Sequence, residues 1–173
     1  MNRVFAGAAV LFGLVTLGVF VSFSMLAEVK AAFSGGRAMA DALSLFQRVE
    51  SVGDLLAVFG GYETSSLRAQ AFHAVNTIDL WVFIPAYVLF LSAAAIALGG
   101  GFGRPLVWAG IGFALLGGAA DVVETSLQLR ITADLANAAA HIPIAPWHWL
   151  KYGALALTGF VVAGLCLLRT HTR

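Results

Sequence analysis

Four stretches of this chain stay apolar for about 20 residues each, the length needed to cross the hydrocarbon core of a bilayer. They are Val4–Leu26, Ile78–Leu98, Leu106–Leu129 and Pro146–Leu168. Within them stand only four charged residues: Asp79, Asp121, Glu124 and Lys151. Over the whole chain 60% of residues are hydrophobic and 11% are charged, against roughly a quarter charged in soluble domains. That deficit is too large for a surface that meets water on every side. The sequence therefore predicts an all-α fold, a four-helix transmembrane bundle with an external amphipathic helix between helices 1 and 2. The 173 residues form a single integral membrane domain, with helices near 4–26, 78–98, 106–129 and 147–168. The bilayer is the first partner, and a formal net charge of +1 gives no electrostatic reason to expect nucleic acid.

The first run follows Arg3 and must be weighed as a signal peptide. Its apolar length exceeds the roughly 7–15 residues of a signal core, so it reads as a helix, although Ser22 and Ser24 mimic a cleavage site. Pro85 predicts a kink in helix 2, because proline lacks a backbone donor and crowds the preceding turn. Gly99–Gly101 ends that helix, and Pro105 suits the start of the next. In helix 3, Gly110, Ala114, Gly118 and Asp121 fall on one face, where small residues let a neighbouring helix approach closely. Trp147, Trp149 and Tyr152 form an interfacial aromatic belt at the start of helix 4. Cys166, the single cysteine, reads as an apolar packing residue.

Arg3, Arg104, Arg169 and Arg173 share one side with no acid, which predicts that both termini are cytoplasmic. The segments 27–77 and 130–146 are then external. In the long one, Met39, Leu43, Phe46, Val49, Val52, Leu56 and Phe59 form a helical stripe opposite Arg37, Asp41, Ser44, Arg48 and Ser51. This predicts one amphipathic helix over 37–59, stopped by Gly60–Gly61. It reads as a connector packed on the bundle top or as a lid on the outer leaflet. After Tyr62–Glu63, Ser65 or Ser66 caps a helix running from Leu67 through Asn76 into helix 2.

The four charges reach a similar depth when the helices alternate in direction. Asp79, Asp121, Glu124 and Lys151 then share a polar layer with Tyr87, Gln128, His148 and His73 nearby, and His73, Asn76, Phe83 and Tyr87 line one side. A charge within a span costs at least about 2.5 kcal/mol, so such groups face the bundle interior, pair, or line a wet cavity. Lys151 does not balance three acids. Protonation of one acid, a metal, ordered water, Arg130 or a cationic ligand completes the balance. Asp79, at the edge of its run, also fits a helix start where an acid favours the dipole. Three readings stay open: an ion-pair network that fixes helix register, a pocket for a small or lipid-like molecule, and an ion or proton path. A zinc site from His73, His148 and an acid is chemically reasonable, but no two histidines have close ligand spacing, so no metal is assigned. No motif names a cofactor, a phosphate loop or a nucleophile elbow.

Asp79-x5-Pro85-x-Tyr87, Ala120-Asp121-x-x-Glu124 and Trp149-x-Lys151 together resemble a loose group of small bacterial four-helix membrane proteins with no assigned activity. The resemblance covers roughly residues 75–165. It implies the four-helix architecture and the weight of the polar layer. In that group an Asn often follows the acid where this chain has Thr125. The function expected is binding of a hydrophobic or cationic ligand, or of a partner, through the polar layer. The alternatives are a membrane enzyme using Asp121 or Glu124 as acid or base on a lipid, and a small proton- or cation-coupled transporter acting as a homo-oligomer.

Overall fold

The computed structural model describes residues 2–33, 36–60, 66–99 and 104–171. Gly61, Tyr62, Glu63, Ser65, Gly100, Gly101 and Arg173, and the side chains of Arg37 and Arg169, lie outside that description. Among the described residues there is helix and no strand. The elements are α1 (Asn2–Phe23), α2 (Ala27–Ala32), α3 (Gly36–Phe46), α4 (Val52–Phe59), α5 (Leu67–Ile78), a π-helical turn (Asp79–Phe83), α6 (Ile84–Leu98), α7 (Arg104–Ala133), a 3-10 helix (Leu135–His141) and α8 (Ala145–His171). Four helical stretches are long and apolar enough to cross a membrane. Large apolar side chains point outward from all of them, such as Val4, Trp81, Trp108 and Phe160, each more than two-thirds exposed. Water does not tolerate apolar surface on this scale, whereas lipid does.

The bundle is built around α7, which packs on α6 and α8; α1 lies along α6. The small-residue face read from the sequence is where the helices meet, with Gly110, Ala114, Gly118 and Asp121 all buried. A β-carbon on Gly110 would stand 3.2 Å from Val161 of α8 and 3.3 Å from Ala95 of α6, so α7 is wedged between both neighbours.

The second crossing is longer than its hydropathy suggests. α5, the π turn and α6 run on as one rod from Leu67 to Leu98, beginning where the Ser66 hydroxyl accepts the Ala69 N–H at 3.2 Å. Asp79 thus lies well inside a helix and gains nothing from a helix start, which corrects the dipole reading of that residue. The disturbance from Pro85 takes the form of a π turn placed just before it. Proline offers no N–H to the carbonyl one turn back and crowds it, and the wider turn relieves both effects. Within it, the Ile84 N–H donates to the Asp79 carbonyl five residues earlier.

The stripe over 37–59 forms two helices rather than one. The chain breaks at residues 47–51, and α4 starts afresh with a capping box: the Ser51 hydroxyl accepts the Asp54 N–H at 3.2 Å, and the Asp54 carboxylate accepts the Ser51 N–H at 2.9 Å. The break resets the helical phase. Met39, Phe46, Val49 and Phe59 are buried as their spacing predicts, but Leu55 and Val58 replace Val52 and Leu56, which are more than one-third exposed. α4 ends at Gly60, whose φ of 75° is the left-handed cap that glycine adopts without strain.

These short helices bury a core of their own on one end of the bundle. Phe33, Phe46, Phe59 and Phe72 interlock with ring centroids 5.0–5.9 Å apart. Ile131, Leu135, Ala138 and Ile144, from the end of α7 and the segment after it, join the same core. The Ile144 N–H donates to the Val49 carbonyl at 3.0 Å, tying that segment to the break between α3 and α4. The structure thus supports the connector reading, with the apolar stripe turned inward onto the bundle.

Candidate functional site

Beneath this cap, three helices present their charges to one another. Lys151 of α8 reaches across to α7, its ammonium 3.0 Å from Asp121 Oδ1 and 2.7 Å from Glu124 Oε2. All three side chains are more than nine-tenths buried. The spacing explains the fork. Asp121 and Glu124 are three residues apart, so their carboxylates emerge side by side on the α7 face turned to α8. Tyr87 of α6 donates its hydroxyl to Asp121 Oδ2 at 2.8 Å. Gln128, one turn beyond Glu124, donates to Glu124 Oε1 at 3.3 Å. His148 Nδ1 stands 3.7 Å from that same oxygen, too far for a hydrogen bond. Its ring packs against Tyr152 at 4.6 Å.

Asp79 joins through Thr125, whose hydroxyl donates to Asp79 Oδ2 at 2.9 Å. All seven residues that the sequence placed in the layer, Asp79, Tyr87, Asp121, Glu124, Gln128, His148 and Lys151, therefore converge. His73 does not. It is exposed, its Nδ1 is 3.0 Å from Thr132 Oγ1, and it borders a separate hollow with Glu28. Arg130 is also exposed, at the far end of α7. Among the described residues, no three His, Cys, Asp or Glu side chains converge as a metal-binding set.

Five residues of the cluster, Asp79, Tyr87, Asp121, Gln128 and Lys151, form the base of a cavity of about 490 Å³, while Glu124 and His148 do not line it. Its walls come from α1 (Thr16, Phe20, Phe23), from α6 and the turn before it (Phe83, Phe90, Leu91) and from α8 (Tyr152, Leu155). Leu43 and Gln47, at the end of α3, cover its upper rim. Phe20 and Phe23 lean on Phe83 at 6.5 and 5.8 Å, and Phe83 meets Tyr87 at 5.5 Å, so a run of rings leads from α1 down to the polar base. The base presents Asp79, Asp121, Lys151, Gln128 and Asn76. Asn76 is only 2% exposed, and its Nδ2 has no hydrogen-bond partner among the described residues.

Thr125 and Gln47 carry roles that the sequence reading did not give them. Thr125 follows Asp121 by four residues, so helical spacing alone puts it on the acid face. No comparable signal exists for Gln47, which reaches the cavity because the chain breaks after α3. No family model matches the chain, and neither a curated protein nor a solved structure does.

Proposed function

We propose that this protein is a four-span protein of the bacterial inner membrane that takes an amphipathic, lipid-like molecule into the groove beside α1 and holds its head group on the polar cluster. In this reading both termini are cytoplasmic and the cap core faces the outer side, so the cluster lies in the outer leaflet. The observation that carries it is the cavity of about 490 Å³, apolar along its walls and charged at its base. Ligand pockets commonly occupy about 300–1,000 Å³, with a few polar groups fixing orientation in a largely apolar lining. A network that served only to fix helix register would need no cavity above it.

The shape of the bundle favours entry from the side. α1 is held mainly along α6, and just 6% of its apolar stretch is buried. Its groove-facing side meets α6 through Gly13, where a β-carbon would sit 3.3 Å from the Phe90 ring.

Native mass spectrometry in lipid nanodiscs tests the reading, comparing the natural protein with Thr16→Trp, which fills the groove from α1. A bound amphiphile retained by the first and lost from the folded variant supports it. Identical bound mass in both proteins, or none in either, refutes it.

A further inference from the structure

Lys151 is paired with Asp121 and Glu124, at 3.0 and 2.7 Å. Among the described residues it is the one ammonium or guanidinium paired with an acid of the cluster, and it takes two of the three. Asp79 stands apart from that pair. Its partner is the neutral Thr125 hydroxyl at 2.9 Å, and it faces the cavity while only partly exposed. A carboxylate in such a place is expensive without a counter-charge. Three residues before it on the same rod, Asn76 turns into the same cavity with a buried amide N–H that no described residue accepts. An unmet donor in a buried site costs about 1–3 kcal/mol. The two residues fall on one helical face, about 5–6 Å apart at their β-carbons. They thus ask for opposite things at adjacent points: a cation at Asp79 and an oxygen acceptor at Asn76.

We infer that the groove selects a single-chain cationic amphiphile. Its amine sits on Asp79, and an oxygen on the neighbouring carbon accepts the Asn76 amide. The tail follows the aromatic run from Tyr87 through Phe83 to Phe20 toward the lipid. This rests on the groove-binding function proposed above and adds the sign of the head group. An anionic head group meets the opposite situation, since Asp79 and Asp121 both line the base and Lys151 is already paired. A neutral alcohol satisfies Asn76 and leaves Asp79 without a counter-charge.

The test uses the full chain in phosphatidylcholine nanodiscs and three probes of equal tail length: dodecylamine, dodecanol and dodecanoate. Binding is counted by native mass spectrometry on the natural protein, Asp79→Asn and Thr16→Trp, with retained helicity as the folding check. Asp79→Ser replaces the asparagine variant if that one does not fold. The expected result is dodecylamine binding at least about ten-fold tighter than the other two, consistent with a charge pair in a desolvated site. The preference disappears in Asp79→Asn, and binding of all three falls in Thr16→Trp. The amino alcohol of the same length binds tighter still, and Asn76→Leu removes that gain alone.

Equal binding of the three probes, still lost in Thr16→Trp, overturns the amine assignment and leaves the groove reading intact. An amine preference that survives both substitutions at Asp79 overturns the role of that residue. Binding unaffected by Thr16→Trp overturns the groove itself, and this inference with it. An amino alcohol no tighter than dodecylamine removes Asn76 from the site.

Discussion

Lys151 Nζ lies 2.7 Å from Glu124 Oε2, an ion pair in which the lysine side chain is 7% exposed and the glutamate 1%. Both ions have left water, and each is tolerated only because the other is present. Breaking such a pair from one side strands a charge, at a typical cost of about 3–5 kcal/mol, whereas removing both partners is far milder. We expect Lys151→Met to lower stability by about that amount in detergent-based unfolding. Adding Glu124→Gln to it restores part of the loss. Two substitutions that simply summed would show that the pair does not couple α7 to α8.

Tyr87 ties α6 to the same network through its 2.8 Å hydrogen bond to Asp121. A hydrogen bond to a charged group contributes about 1.5–3 kcal/mol. Tyr87→Phe keeps the ring against Phe83 and deletes only the donor, so we expect a loss near the lower end of that range. Thermal unfolding of the purified variant reads it directly. No measurable change would mean that another donor takes over the oxygen.

Among the glycines of α7, Gly118 marks the tightest approach to α6, since a β-carbon there would run into the Cγ2 of Val88. Valine is stiff about its first torsion and has little room to swing away. Gly118→Ala should cost about 1–3 kcal/mol through overpacking. Gly112, with no neighbour within 4 Å of its notional β-carbon, serves as the control. Gly112→Ala should be neutral or stabilising by up to about 1 kcal/mol, because alanine favours helix over glycine. A loss at Gly112 as large as that at Gly118 would show that the Val88 contact is not the cause, since helix propensity favours alanine at both sites.

Outside the bundle, Asp54 holds the α4 capping box. The Glu50 backbone N–H, the Ser51 hydroxyl and the Ser51 N–H all donate to its carboxylate and hold its pKa below the ordinary 3.8. A depressed carboxylate stabilises the folded state fully above the ordinary value, and the effect fades as pH falls from there through the lowered value. We expect the protection of α4 amides, relative to their intrinsic exchange, to fall as the pH drops past 3.8, with Asp54→Asn abolishing that acid dependence. Ser51→Ala should weaken the cap by about 1 kcal/mol at neutral pH. Acid-insensitive exchange in the natural protein would count against the box.

Much of this was readable from the sequence because lipid makes polar residues conspicuous. Asp121, Glu124 and Lys151 stand out against an apolar background, and helical spacing alone sets their faces. The glycine and alanine face of α7 was legible for the same reason. The extension of the second crossing back to Leu67 was legible as well, through Ser66 as a cap, although Arg68, Gln70, His73 and Asn76 dilute its hydropathy. Over 37–59 the apolar stripe keeps step across the break, so periodicity suggested one helix. The contrary signal, Ser51-x-x-Asp54, was present and is a local start sequence. The polar layer left a pocket open as one reading, but the α1 wall of the cavity had no signal, because it depends on how α1 lies relative to its neighbours and no periodicity along one helix encodes that.

The π turn gives the second crossing a reading frame. In an α-helix each residue advances the face by about 100°, so the one additional residue carried by the wide turn sets the rotation between its two halves. Below it, Tyr87 is aimed at Asp121; above it, Phe72 and Val75 are aimed into the cap core. Deleting a single residue between Leu80 and Phe83 would let the rod close into regular helix without breaking it. It would also turn the cap's share of the rod by about a quarter of a circle, carrying Asn76 out of the groove and Phe72 out of its ring cluster. A surface loop generally tolerates a change of length at little cost, but along this rod the number of residues is part of the structure.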